Sequence, residues 1–268
     1  MSAGRWYVPR GTFLPDAMGT TITLTTAIAH QARNVLRLHV GDPIILFDGS
    51  GDSYTLTITS MERDRITATI IDRQRVLTEP RHHLILHQAL VKAAKFELIV
   101  QKCTEIGVST FAPLISARST NGLEDASSHK RQRWEVIATE AAEQSDRGCV
   151  PTILPPRTWA EALTTVQPDH IALLAWEEPT GTTIRTAMGY TLVQDSAADI
   201  SGPAEPLTVH LFIGPEGGFS TEEVTAATRY GVRCVTLGPR ILRAETAAIV
   251  ATTLVLDALG ELGNHGSK

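Results

Sequence analysis

Leu211-Phe212-Ile213-Gly214-Pro215-Glu216-Gly217-Gly218-Phe219-Ser220 sets the reading of the whole chain. An apolar run stops at a glycine-dense turn. Ser220, followed three positions later by Glu223, has the spacing of a capping box that opens a helix. Strand, turn and helix start, in that order, are the repeating unit of a parallel sheet, and open α/β sheets bind ligands beyond the C-terminal ends of their strands. Glycines there let a ligand reach the backbone. Ordinary turn chemistry explains two glycines as well, so the stretch alone names no ligand.

Outward from it, residues 83–90, 110–116, 171–176, 207–214 and 233–237 read as strands. They alternate with helices over 92–106, 128–144, 221–230 and 246–262, whose apolar residues recur three and four apart, as in Phe96, Ile99, Val100, Cys103 and Ile106. The alternation predicts an α/β fold with a mainly parallel sheet. Ahead of residue 80 the period is two. Thr alternates with Leu or Ile over 54–59 and 65–71, with Glu62-Arg63-Asp64 as the hairpin tip. A helix over 30–38, with Val35, Leu36 and Leu38 as its apolar positions, interrupts these short strands. Residues 1–76 therefore read as a small β-barrel and 77–268 as an α/β domain. Residues 179–206, rich in Thr, Ala, Gly, Asp and Pro, read as a loop or weakly structured insertion.

With 268 residues, 43% hydrophobic and 20% charged, the composition is that of a folded globular chain and excludes disordered and low-complexity classes. A net charge of −5 argues at first against a nucleic-acid partner. The acidic excess, however, is confined to residues after 157, where 13 acidic side chains face 6 basic ones. The cations are mostly Arg, which suits bidentate phosphate and base contacts, although a compositional bias would do the same. Cys103, Cys149 and Cys234 lie far apart, and the nine histidines show no His/Cys grouping, so neither a disulfide framework nor a metal site is expected. No apolar run reaches 18 residues and residues 1–10 hold no apolar leader core. Neither a membrane span nor a secretory signal is expected, and a cytoplasmic setting is.

Two further stretches carry candidate chemistry. Leu237-Gly238-Pro239-Arg240-Ile241-Leu242-Arg243-Ala244-Glu245-Thr246-Ala247 leaves a strand through Gly-Pro and enters a helix whose dipole favours Glu245. Glu140-Ala141-Ala142-Glu143-Gln144-Ser145-Asp146-Arg147 ends a helix, where Arg147 also fits an ordinary C-terminal cap. Neither Gly-x-x-x-x-Gly-Lys-Ser/Thr nor Gly-x-Gly-x-x-Gly occurs, so a phosphate-loop hydrolase and a dinucleotide-binding site lack their fingerprints.

Together, Ile-Gly-Pro-Glu-Gly-Gly-Phe-Ser-x-x-Glu over 213–223, Leu-Gly-x-x-Ile-Leu-Arg-x-Glu-Thr-Ala over 237–247 and Glu-Ala-x-Glu-Gln-x-x-Arg over 140–147 resemble the RsmE family of ribosomal RNA uridine-N3 methyltransferases, of the SPOUT class. Lys102-Cys103-Thr104-Glu105-Ile106-Gly107-Val108 is similar to the family's Lys-x-x-Glu-Leu-Gly-Val helix. Arg5-Trp6-Tyr7-Val8 and His30, with Val35-Leu36-Arg37 after it, are similar to its PUA-like front domain. The resemblance spans about residues 5–262; the segment 179–206 looks longer than the family needs.

The resemblance implies a PUA-like RNA-binding β-barrel, a SPOUT domain with a C-terminal trefoil knot, S-adenosylmethionine as cofactor and no metal. It implies a homodimer, with the helix over 246–262 as interface, acting on 16S rRNA or the small ribosomal subunit. The cofactor would be held by Leu174, by Ile213, Gly214, Pro215, Glu216, Gly217 and Gly218, and by Leu237, Gly238, Ile241, Leu242, Arg243, Thr246 and Ala247. Ala175 and Trp176 would continue the wall that Leu174 begins. Because uridine N3 carries a proton at neutral pH, a group must stabilise the anion as it forms. Arg147 or Arg243 is assigned that task, Glu143 and Gln144 the orientation of the uracil edge, and Arg10 is a further candidate. Arg5, Arg10, Arg33 and Arg37 would contact RNA. Trp6 and Tyr7 fit either a stacked base or the core. A ribose 2′-O-methyltransferase and a non-catalytic RNA-binding assembly factor remain the alternatives.

Overall fold

Thr, Leu and Ile in alternation give each strand one face to bury, and the front of the chain packs on that face. The computed structural model describes residues 4–13, 18–119, 128–177, 182–189 and 205–263. The chain divides into two compact units, residues 1–79 with 139–150, and residues 80–138 with 151–268.

The first unit holds β1 (Gly4–Tyr7), β2 (Thr21–Leu24), α1 (Thr26–His30) running into a π-helical turn over Gln31–Val35, β3 (Pro43–Phe47), β4 (Asp52–Met61) and β5 (Ile66–Arg75). They form a mixed sheet in the order β1-β3-β4-β5-β2, in which only β1 and β3 run parallel. Register shifts at Thr55/Leu56 and Ile58/Ser60 bend the long β4–β5 hairpin. Trp6, Leu24, Ile44, Leu46, Leu56, Ile58, Ile66 and Ile70 make the core. Trp6 is buried and its Nε1–H donates to Gln31 Oε1 at 2.9 Å, which satisfies the indole inside the fold. Tyr7 is half-buried and meets Phe47 edge-on. The helix expected over 30–38 starts four residues earlier. Ile28, Ala29 and Ala32 are its buried positions, while Val35 and Leu36, expected to be buried, are 64% and 41% exposed. Residues 28, 29 and 32 already make a helical stripe, and the wider turn that follows carries Val35 off it.

The second unit contains β6 (His83–Ala89), α2 (Ala93–Ile106), β7 (Thr110–Ile115), the start of α3 (Ser128–Gln144), β8 (Thr152–Ile153), β9 (Arg157–Thr158), α4 (Trp159–Leu163), β10 (Ile171–Ala175), β11 (Thr182–Thr183), α5 (Ile184–Ala187), β12 (Thr208–Ile213), α6 (Thr221–Arg229), β13 (Arg233–Thr236) and α7 (Ala244–Ala258). Every pairing in its sheet is parallel, in the order β11-β13-β10-β12-β6-β7-β8, with β9 also on β7. The short β11 and α5 occupy 182–187, part of the stretch expected to be a loop; residues 178–181 and 190–204 lie outside the described residues. α7 begins two residues before the expected 246, with Arg243 at its N-cap, and packs on α2, α5 and β12. Its apolar residues Ala248, Ala251, Val255 and Leu256 are thereby buried within the unit, while Leu254 is 40% exposed.

β10 is flanked by β12 and β13, both later in sequence. The chain therefore returns twice to the two edges of one strand, and the segments leaving β10, β12 and β13 emerge at a common edge. Among the described residues no helix is long and apolar enough to cross a membrane.

Candidate active site

At that edge lies a cavity of 980 Å³, at the upper end of the usual range of about 300–1,000 Å³ for ligand sites. Three segments wall it: Ala175 to Glu177 after β10, Ile213 to Phe219 after β12, and Thr236 to Ala244 with Ala247 after β13. The middle wall is a tight turn, in which Gly218 donates its N–H to Pro215 O at 2.9 Å and takes φ +66°. Gly238 opens the third wall with φ +107°, a conformation that side-chain-bearing residues avoid, and its N–H is held by Thr236 Oγ1 at 3.2 Å. Ten of the lining residues are Gly, Ala, Pro or Thr, six are large apolar side chains and six are charged.

The glycine turn is fastened on both sides. Ser220 and Glu223 form the expected capping box at the start of α6. Glu223 Oε2 accepts the Ser220 N–H at 2.8 Å and its Oε1 accepts the Ala117 N–H, also at 2.8 Å. Arg118 Nη1 donates to Gly217 O at 2.8 Å, and Lys95 Nζ to Glu216 Oε1 at 3.2 Å. Partial burial alone would raise the Glu216 carboxyl, but its own backbone N–H and Lys95 outweigh that and hold it below its ordinary value. Charged groups at the cavity are Glu177 and Glu216 against Lys95, Arg118, Arg240 and Arg243.

Of the residues assigned to the cofactor, Ile213, Gly214, Pro215, Glu216, Gly217, Gly218, Leu237, Gly238, Ile241, Leu242, Arg243 and Ala247 line this cavity. Leu174 does not: it is fully buried one position before the wall begins at Ala175. Thr246 is exposed on α7 and is not among the lining residues. Lys95, Arg118, Glu177, Phe219, Thr236 and Arg240 line the cavity without having been picked out. Lys95 and Arg118 come from α2 and the exit of β7, and only the sheet order brings them here.

In the first unit, the segment after α3 is a second fixed structure. Arg147 is 3% exposed, and its Nη2 and Nε donate to Glu79 Oε2 at 2.9 Å and Oε1 at 3.2 Å. Glu79 Oε1 also accepts the N–H groups of Gly148 and Cys149, at 2.8 and 3.1 Å. Arg5 Nη2 donates to Arg147 O at 2.7 Å, and the Arg5 guanidinium lies over the Phe47 ring at 4.6 Å; burial lowers its pKa. Glu143 Oε1 accepts the Tyr7 N–H at 2.8 Å, and burial raises its carboxyl against the effect of that bond. Gln144, Arg10 and Arg37 are exposed, Arg37 with φ +55°, while Arg33 is half-buried with Nη1 on Glu62 O at 3.4 Å. Arg147 and Arg5 are thus spent on holding the 146–149 loop.

Histidines far apart in sequence meet inside the second unit. His87 Nε2 and His210 Nδ1 are 2.9 Å apart, as are His210 Nε2 and His170 Nδ1, with His87 stacked on Phe212. The Gln167 N–H points to His170 Nδ1 at 3.5 Å, so that nitrogen accepts, and the ring donors run from His87 outward. This direction leaves the buried, unpartnered His87 Nδ1 as a bare lone pair and not a stranded N–H. Burial, with His210 and Arg157 nearby, lowers His87 to about 3; burial, with His170 and His83, lowers His210 to about 4. Among the described residues no group of three His, Cys, Asp or Glu is placed to hold a metal ion.

The RNA methyltransferase domain family matches residues 78–256, and the RNA methyltransferase PUA domain family residues 24–71. Ribosomal RNA small subunit methyltransferase E of Synechocystis is 36% identical over 86% of this chain and 71% of its own length. That of Bacillus subtilis is 32% identical over 88% and 89%. The crystal structure of the Neisseria gonorrhoeae enzyme of the same name, bound to S-adenosyl methionine, superposes with a TM-score of 0.81 at 29% identity, covering 96% of this chain and 98% of that one. A Legionella pneumophila methyltransferase with bound S-adenosyl methionine does so with 0.81 at 28%, over 96% and 98%. The PUA match lies in the first unit, the methyltransferase match takes in the cavity and its three walls, and the chain belongs to the ribosomal RNA small subunit methyltransferase E family.

Proposed function

We propose that this protein methylates N3 of a uridine in the small-subunit ribosomal RNA, with S-adenosylmethionine as methyl donor. The observation that carries the reading is the cavity at the ends of β10, β12 and β13. The walls fit that cofactor: backbone groups and small apolar side chains for an adenine, carboxylates Glu177 and Glu216 for positive charge, and room for a bent ligand. A polyphosphate site would take a Gly-rich loop followed by Lys, a fingerprint this sequence lacks. Bound there, the cofactor supplies a sulfonium-activated methyl group.

Alignment of the reacting groups is the protein's main contribution, worth up to roughly 7–11 kcal/mol for well-oriented partners. Arg243, exposed at the cavity and N-cap of α7, is the group proposed to stabilise negative charge on the uracil as its N3 proton leaves. Glu143 and Gln144 are proposed to orient the base, and Arg10, Arg33 and Arg37 to contact RNA phosphates. Arg147 and Arg5 act through the loop they hold. The protein is proposed to work as a cytoplasmic homodimer, with exposed Leu254 on α7 as one contact. Light scattering tests the dimer.

The deciding experiment incubates unmodified small ribosomal subunits with the protein and labelled S-adenosylmethionine, then digests the rRNA and identifies the nucleoside by mass. 3-Methyluridine is expected. A ribose-methylated product would place the protein among 2′-O-methyltransferases, and no incorporation would overturn the reading.

A further inference from the structure

Lys95 has no part in the reading above. It stands in the first turn of α2 and lines the cavity. Its Nζ is 3.2 Å from Glu216 Oε1, in the glycine turn, and 3.6 Å from Glu245 Oε2, in the first turn of α7. Carboxylates carried by two different walls thus share one ammonium. Glu245 Oε2 is buried and makes no hydrogen bond, so the nearby positive charge is what offsets its burial. Relative exposures of 31% for Lys95, 37% for Glu216 and 14% for Glu245 place the trio at the edge of solvent, where attraction is weakened but not lost. A compact ammonium on a flexible stem suits this bridging better than a planar guanidinium fork.

We infer that Lys95 is a positioning residue for the cofactor cavity: by tying the turn after β12 to the start of α7, it fixes the separation of the two walls between which the ligand lies. The inference rests on the cofactor reading above. It differs in sign from a direct contact between Lys95 and an anionic end of the ligand. If Lys95 positions the walls, loss of the Glu216 charge weakens binding. If Lys95 grips the ligand, the same loss frees the ammonium and leaves binding equal or tighter.

The test is calorimetric titration of the full chain with S-adenosylhomocysteine, on the wild type, Glu216→Gln, Lys95→Met and the double variant, with thermal unfolding recorded for each. Each single change is expected to weaken binding about fivefold, and the double change no more than either single one. Glu216→Gln alters an exposed turn position. Because Glu216 also lines the cavity, a direct contact with the ligand would weaken binding too, so the double variant decides: a shared tie leaves it no worse than either single change, and a direct contact makes the losses multiply. Unchanged or tighter binding by Glu216→Gln overturns the inference, as does a double variant whose loss is the product of the single losses. A wild type that binds no S-adenosylhomocysteine overturns the cofactor reading itself and this inference with it.

Discussion

Glu79 closes on Arg147 in the first unit, with Nη2 to Oε2 at 2.9 Å and Nε to Oε1 at 3.2 Å, and the Arg147 side chain is 4% exposed. The same carboxylate accepts two backbone N–H groups of the loop that follows. Glu79→Gln removes the charge while keeping the shape, and so strands a buried cation. A loss of about 3 kcal/mol in urea unfolding is expected, the size typical of a broken buried pair. An unfolding midpoint equal to the wild type would show that the pair contributes nothing.

Arg243 differs from Arg147 in being exposed at the cavity, and the two should fail in different ways. Arg243→Ala is expected to lower single-turnover methylation about a hundredfold, as for loss of one charge-stabilising group, at an unchanged unfolding temperature. Full single-turnover activity in that variant would remove Arg243 from the mechanism.

Acid should weaken the second unit through its histidine chain. His87 and His210, at about 3 and about 4, stay neutral in the native state at pH values where the unfolded chain, near 6.5, takes up protons. Stability from these groups is therefore full above pH 6.5 and declines as pH falls below it. Between pH 6.5 and 5 the two together are expected to remove roughly 3 kcal/mol of unfolding free energy. Urea midpoints measured across that range check this, and a flat profile would contradict it.

Gly238 turns the chain out of β13 with φ +107°. A Cβ there meets no atom within 4 Å, so the effect of Gly238→Ala is conformational and not steric crowding. A cost of about 1–2 kcal/mol is expected. It should appear as a lower melting temperature that S-adenosylhomocysteine restores less well than in the wild type. Identical melting and identical ligand shift would place the turn outside the binding wall.

How far the fold could be read from the residues depended on where each element finds its partners. α3 was predicted with the bounds it has, 128–144, because Trp134, Ile137, Ala138 and Ala141 mark its buried face by themselves. The short β8, β9 and β11 have two residues each, and two residues carry no period; only pairing with β7 and β13 makes them strands. The glycine turn and the 237–247 segment were legible from local chemistry as strand exits and helix starts, and as cavity walls only through the family resemblance. Lys95, Arg118 and Glu177 were not, since nothing in their own segments shows that the sheet order delivers them to the same place. The histidine chain was hidden for the same reason, its three rings coming from positions 87, 170 and 210.

Glu223 has a mechanical consequence for the glycine turn. Its two oxygens hold the N–H groups of Ser220 and Ala117, so the first turn of α6 and the strap leaving β7 are pinned to one 7%-exposed carboxylate. Neither strand exit can swing without dragging the other. Any tightening of the glycine turn around a ligand must therefore travel as a correlated displacement of both, with α6 as the lever.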